Sequence, residues 1–149
     1  GPFVSSQNRF YTLKGSPLKI NSLADARQHK LVMPRLWYSV QYLQSQGFDD
    51  IYTVTSPEIM MNMFRNGRSD LLAASDVTLP NVLALADLTP ADVVPQFSFM
   101  EHSSYLVFSP ATNPQVALRW QKALEQLRRD GTVARLQSRW LGHIKPRQR

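Results

Sequence analysis

Two short stretches bring together residue types that bind small charged or aromatic molecules. The first is "PRLWYS", Pro34–Ser39; the second is the end of "FRNGRSDLLAASD", Phe64–Asp76. In the first, a short apolar run ending at Pro34 gives way to a segment with helical spacing. Free backbone N–H groups and the helix dipole attract anions at such a junction. Arg35 adds a fixed cation suited to a carboxylate, Trp37 and Tyr38 offer rings for stacking, and Ser39 completes the candidate set. The alternative is that Trp37 and Tyr38 pack on the helix flank while Arg35 is solvated. In the second stretch an apolar strand ends on Ser75 and Asp76. An acid at a strand tip can hold a ligand amine or hydroxyl; the alternative is that Asp76 caps the turn "SDVTLP".

Groups that would support catalysis are sparse. The three histidines, His29, His102 and His143, are far apart in sequence, and none has a neighbour at metal-ligand spacing. Each reads as a surface or capping residue. Glu58, Glu101 and Glu125 are the only glutamates. Glu58 suits a helix start and Glu125 a helix surface, so no carboxylate dyad is visible. Glu101 and His102 are adjacent in a strand-like region, where consecutive side chains point to opposite faces. No phosphate-binding glycine loop or nucleophile elbow follows any strand. No catalytic residue, metal or cofactor is expected.

Composition is consistent with that. The chain has 149 residues, 43% hydrophobic and 19% charged, enough for an ordinary globular core. It has no cysteine, which excludes disulfides and thiol chemistry. No apolar run approaches the length of a membrane helix. There is no basic, apolar leader, although a mature exported chain also lacks one, and Gly1-Pro2 reads as either a cleavage scar or native sequence. The net charge of +6 is unevenly placed: residues 119–149 hold nine Lys/Arg against two acids, a net +7, which leaves −1 for residues 1–118. A basic helical tail can bind nucleic acid or anionic lipid. Without helix-turn-helix spacing it reads instead as a solvated helix face with a disordered "KPRQR" end, and no nucleic-acid partner is expected.

The elements that must position the candidate residues follow from periodicity. "NRFYTLKG" is extended and Gly15-Ser16-Pro17 breaks it. "NSLADARQHK" reads as a short helix capped by Asn21 or Ser22. Strands are expected at Lys30–Pro34, Ile51–Thr55, Asp70–Ser75, within "DVVPQFSF", and at Ser104–Pro110. Pro95 marks an edge or bend. Between them, helices are expected around Trp37–Gln46 with Leu36, Val40 and Leu43 on one face, over "SPEIMMNMFRNG" with Ile59, Met60, Met63 and Phe64 on one face, and over "LPNVLALADL". Two helices close the chain, with stripes Val116, Trp120, Ala123, Leu124, Leu127 and Val133, Leu136, Trp140. Alternating strands and helices predict an α/β fold, a doubly wound, mostly parallel sheet followed by C-terminal helices. Ligands of such sheets bind at the carboxyl ends of the strands, which is where Pro34–Ser39 and Ser75-Asp76 fall.

Three stretches carry a family resemblance. "KGSPLKINSLAD" resembles the entry into the second lobe of bacterial extracellular solute-binding proteins of the amino-acid-binding (family 3) kind. "MFRNGRSDLLAASD" resembles their Gly-Arg-x-Asp strand. The stretch from "YLVFSP" through "VALRWQKALEQLRRDGTVARLQSRWLG" resembles their returning hinge strand and closing helices. The similarity runs from about Phe10 to Gly142. It implies a two-lobed clamshell of periplasmic-binding-protein type II. Residues 1–16 would be a crossing strand and hinge, 17–103 lobe two, 104–142 the return hinge strand and C-terminal helices of lobe one, and 143–149 a basic tail. The N-terminal part of lobe one would be lacking.

The same resemblance implies a periplasmic protein that binds a small polar solute, amino-acid-like or another small carboxylate, and passes it to the membrane permease of an ABC-type uptake system. The alternatives are a ligand-sensing domain of a signalling receptor or transcription regulator, and a small-acid dehydratase-like enzyme on the same scaffold. Two departures matter. Leu36, Trp37 and Tyr38 stand where the family has Gly followed by Ser or Thr. Ser75 stands where the family often has its ligand-amine aspartate, with Asp76 one place later, and a one-residue shift in a strand reverses side-chain direction. Helices with Trp120, Leu124 and Trp140 uncovered also predict self-association of this chain.

Overall fold

The computed structural model describes residues 2–142; the expected basic tail, with His143, lies outside the described residues. The chain divides into two compact units, Ser5–Ser103 on the one hand and Gly1–Val4 with Ser104–Arg149 on the other.

The unit Ser5–Ser103 is an α/β layer structure. Its strands are β1 (Val4–Leu13), β2 (Val32–Pro34), β3 (Tyr52–Val54), β4 (Leu72–Ser75) and β5 (Val93–Ser104). β4, β1 and β5 lie side by side in that order, and β2 pairs with β3. A parallel bridge between Leu31 and Leu71 joins the two groups. β2 and β3 are parallel. β1 runs antiparallel to β4, with Asn8 opposite Ser75 and Phe10 opposite Ala73. Phe3 N–H bonds Ser104 O while Lys14 N–H bonds Asp92 O, so β5 is antiparallel to β1 and therefore parallel to β4. Four strands share one direction, as expected for a mostly parallel sheet.

Helices cover both faces because both faces are apolar. Along β4, Leu71 and Ala73 join one core cluster with Phe10, Met33, Val40, Leu43 and Phe99. Leu72 and Ala74 join the other, with Tyr11, Met60, Met61, Phe64 and Leu83. The first face carries α1 (Leu23–Arg27) and α2 (Tyr38–Ser45); the second carries α3 (Pro57–Arg65) and α4 (Leu79–Ala84).

Local signals set the element ends. Ser22 Oγ accepts Asp25 N–H at 3.1 Å while Asp25 accepts Asn21 N–H at 2.9 Å, a reciprocal cap for α1. Ser56 caps α3 through Ile59 N–H, with Pro57 in its first turn. Pro95 sits on β5, an edge strand of the three-stranded group, where its missing N–H breaks no ladder.

Three expectations change. "DVVPQFSF" and the following segment form one strand that ends at Ser104, and Tyr105–Ser109 is not a strand. Its β-branched and aromatic residues have no ladder partner among the described residues, and propensity without a partner does not make a strand. Leu36 is not on the apolar face of α2: the helix begins at Tyr38, and Leu36 on the preceding turn is 91% exposed. The buried face of α3 is Met60, Met61 and Phe64, with Ile59 turned outward, a rotation of about one residue from the expected stripe.

In the other unit, α5 (Pro114–Arg129) and α6 (Thr132–Leu141) form a helical hairpin around Gly131, whose φ of +79° makes the turn. Neither helix has a buried residue. The predicted stripes are present, but Trp120, Leu136 and Trp140 are exposed. Phe108 packs on Trp120 with ring centres 6.3 Å apart.

Candidate functional site

The carboxyl ends of β2 and β4 and the start of α2 lie along one rim of the Ser5–Ser103 unit. β1 runs against β4, so its N-terminal residues reach the same rim. Tyr38, the first residue of α2, contributes its hydroxyl to a polar cluster there. That oxygen accepts an N–H from Asn8 Nδ2 at 2.9 Å and lies 3.2 Å from His102 Nδ1. His102 Nε2 is in turn 2.6 Å from Ser6 Oγ. The imidazole meets the Tyr38 ring edge-on, with centres 5.7 Å apart and planes at 81°. Asn8 and Ser6 are buried. Asn8 stands opposite Ser75 in the β1–β4 ladder, so Tyr38, Asn8, His102, Ser6 and Ser75 share the α1/α2 face of the sheet.

Asp76 belongs to the opposite face. Its Oδ1 accepts Gln7 N–H at 3.1 Å, and its own N–H donates to Gln7 O at 2.9 Å, extending the ladder by one residue. Tyr11 lies on that face too. Burial pushes the Tyr11 phenol up to about 12, with Arg9 pulling it down and Asp76 adding to the rise. The turn after β4 is capped by Ser75, whose Oγ accepts Val77 N–H at 3.3 Å. Asp76 thus leaves the capping to its neighbour and holds β1.

The remaining expected residues take different positions. Arg35 N–H continues the β2–β3 ladder to Val54 O at 2.9 Å. Its side chain is exposed and enters no ion pair among the described residues. Trp37 is half-buried and packs against both core clusters. Ser39 is 5% exposed, inside the first turn of α2.

Asn8, Ser6 and Gln7 escaped sequence reasoning. "VSSQNRFYTL" is polar at both alternating positions near its start, so periodicity singles out none of them. His102 was visible only as an isolated histidine. The geometry does not assemble a nucleophile–base pair in open contact with solvent, because Ser6 is 5% exposed. Nor does Asp70 join this rim. It precedes β4, and its Oδ2 accepts Lys30 N–H at 2.9 Å and lies 4.0 Å from His29 Nδ1.

A small hollow of about 90 Å³ lies at that opposite end of the parallel strands, lined by residues including Arg27, His29, Phe48, Asp49 and Asp50. Small-molecule pockets are typically about 300 Å³ or more, so this hollow is smaller than the usual pocket for a solute.

The sequence matches no family model, and no curated protein matches it. Solved structures do share the fold. A histidine kinase sensor domain with similarity to periplasmic binding proteins superposes with a TM-score of 0.73 at 20% identity, covering 97% of this chain and 63% of that one. The probable amino-acid ABC transporter extracellular-binding protein ytmK from Bacillus subtilis gives 0.78 at 15% identity, covering 95% and 62%. The ancestral amino acid-binding protein AncCDT-1, a precursor of cyclohexadienyl dehydratase, gives 0.70 at 19% identity, covering 93% and 59%. The chain therefore has the periplasmic-binding-protein type II fold, and it spans about three-fifths of the length of these structures.

Proposed function

We propose that the chain is the ligand-binding part of a solute-binding protein. It takes a small polar solute, amino-acid-like or another small carboxylate, at the rim formed by Arg35–Ser39 and Ser75-Asp76. It has no chemistry of its own, and it acts in the periplasm, delivering the solute to the membrane permease of an ABC-type uptake system. The observation that carries this reading is the cluster at the strand ends: Tyr38 from the start of α2 and Ser75 from the end of β4 meet through Asn8 of β1. The carboxyl-end rim is where α/β sheets bind ligands, and the fold is shared with proteins named for amino-acid binding. Arg35 is the carboxylate contact and Asp76 the contact for an amine or hydroxyl.

A second reading, a ligand-sensing domain of a signalling receptor, is favoured by the sensor-domain match, which covers 97% of the chain. It uses the same rim. A dehydratase-like enzyme has less support, since Ser6 is buried and Asp70 lies at the far end of β4. Calorimetric titration of the chain with a panel of amino acids and small carboxylates tests the reading. Arg35→Ala and Asp76→Ala are expected to weaken binding about tenfold or more while circular dichroism stays unchanged. Equal affinity in both variants would remove these residues from the site.

A further inference from the structure

The turn from β2 into α2 carries three large side chains in a row, and the core accounts for only one of them. Trp37 packs on both core clusters. Leu36 is 91% exposed and Tyr38 56% exposed. The exposure of Tyr38 is not that of a mobile surface side chain. Its hydroxyl is fixed by Asn8 Nδ2 at 2.9 Å and by His102, which is itself held by Ser6 at 2.6 Å. His102 also braces the ring edge-on. Three hydrogen-bonded side chains from two strands thus hold one half-exposed ring in place. A ring held this way is a preorganised wall, because little side-chain entropy remains to be lost when a ligand lies against it. The same turn bears Arg35, an exposed cation with no ion pair among the described residues. A cation beside an apolar wall favours an anion with an apolar body and repels a cationic ligand from the Tyr38 ring.

We infer that the rim site takes a carboxylate carrying a flat or apolar body, an aromatic or branched organic acid, which lies against Tyr38 and Leu36 with its carboxylate toward Arg35. This rests on the reading of the rim as a ligand site. It narrows the ligand class from small carboxylates in general to those with an apolar portion.

The test is calorimetric titration of this chain with four probes: phenylacetate, acetate, L-phenylalanine and glycine. The aromatic member of each pair is expected to bind about tenfold more tightly than the compact one. Tyr38→Ser and Leu36→Ser are each expected to reduce that preference to about threefold or less, and Tyr38→Phe, which keeps the ring but loses the hydroxyl that Asn8 and His102 hold, to leave it at an intermediate value. Leu36 touches no core cluster, so its variant stays folded and keeps the test decisive. Compact and aromatic probes binding equally, with Arg35→Ala still weakening both, would overturn the inference and leave the rim reading intact. Binding of the aromatic probes unaffected by Tyr38→Ser and Leu36→Ser would also overturn it. Silence from all four probes would overturn the inference and count against the rim itself.

Discussion

Asp76 has one duty in this structure and a second in the proposed site, and a pair of substitutions separates them. Its carboxylate accepts Gln7 N–H at 3.1 Å, which fastens β1 to the end of β4, and in the proposed site it also faces a ligand amine or hydroxyl. A hydrogen bond to a charged group contributes about 1.5–3 kcal/mol when buried. Asp76 is only half-buried, and water replaces part of the loss, so Asp76→Ala is expected to cost about 1 kcal/mol. The Asp76 N–H to Gln7 O bond is backbone and survives. Asp76→Asn keeps a carbonyl acceptor for Gln7 without the charge, and roughly half of the bond's contribution remains. With a urea m-value of about 2 kcal/mol/M, the midpoint falls by about 0.5 M for Ala and about 0.25 M for Asn. Trp37 is the tryptophan of the Ser5–Ser103 unit. Its fluorescence in a Trp120→Phe, Trp140→Phe background therefore reports that unit alone. Ligand affinity should fall about tenfold in both variants, because an amide cannot replace the charge. A second signature is a lower Tyr11 pKa in both, since Asp76 adds to its rise. If Asn and Ala are equally destabilised while affinity is unchanged, the carboxylate serves the fold alone and the site assignment fails.

Tyr11, raised by burial from about 10 to about 12, contributes stability that is intact below pH 10 and lost as pH rises through about 12; denaturant titrations across that range should show the loss, and a flat profile would contradict it. Gly47 has a φ of +89°, and a Cβ there would lie 2.9 Å from Arg27 Nη1, so Gly47→Ala should destabilise by about 1–2 kcal/mol in thermal or urea unfolding. The exposed apolar stripes of α5 and α6 should make the chain a dimer or larger in sedimentation, and Trp120→Ser with Trp140→Ser should shift it toward monomer; a clean monomer before substitution would contradict this.

The fold was legible where one physical signal dominated. Ser22, Ser56, Pro57 and Gly131 mark element ends that the structure keeps, because caps and positive-φ turns are decided by a few adjacent residues. "DLLAAS" reads as an apolar strand, and the two faces of β4 join different core clusters. What stayed illegible depends on partners distant in sequence. The segment Tyr105–Ser109 has strand composition but no strand beside it. Leu36 fits a helical stripe by spacing, yet α2 starts two residues later, with Trp37 at its N-cap. For the proposed site, Arg35, Trp37, Tyr38, Ser39, Ser75 and Asp76 are nominated by their places at strand ends. Their sorting onto two faces required the β1 register, with Asn8 opposite Ser75 and Gln7 beside Asp76. His102 and Ser6 are 96 positions apart in sequence, and only the β1–β5 pairing brings them together.

The most direct test is nuclear magnetic resonance mapping of the chain during titration with the tightest-binding solute of the panel. Binding at the carboxyl-end rim predicts that the largest amide shifts fall at residues 35–39, 75–76, 6–8 and 102. Shifts concentrated around Arg27, His29 and Asp49, at the other end of the strands, would contradict it.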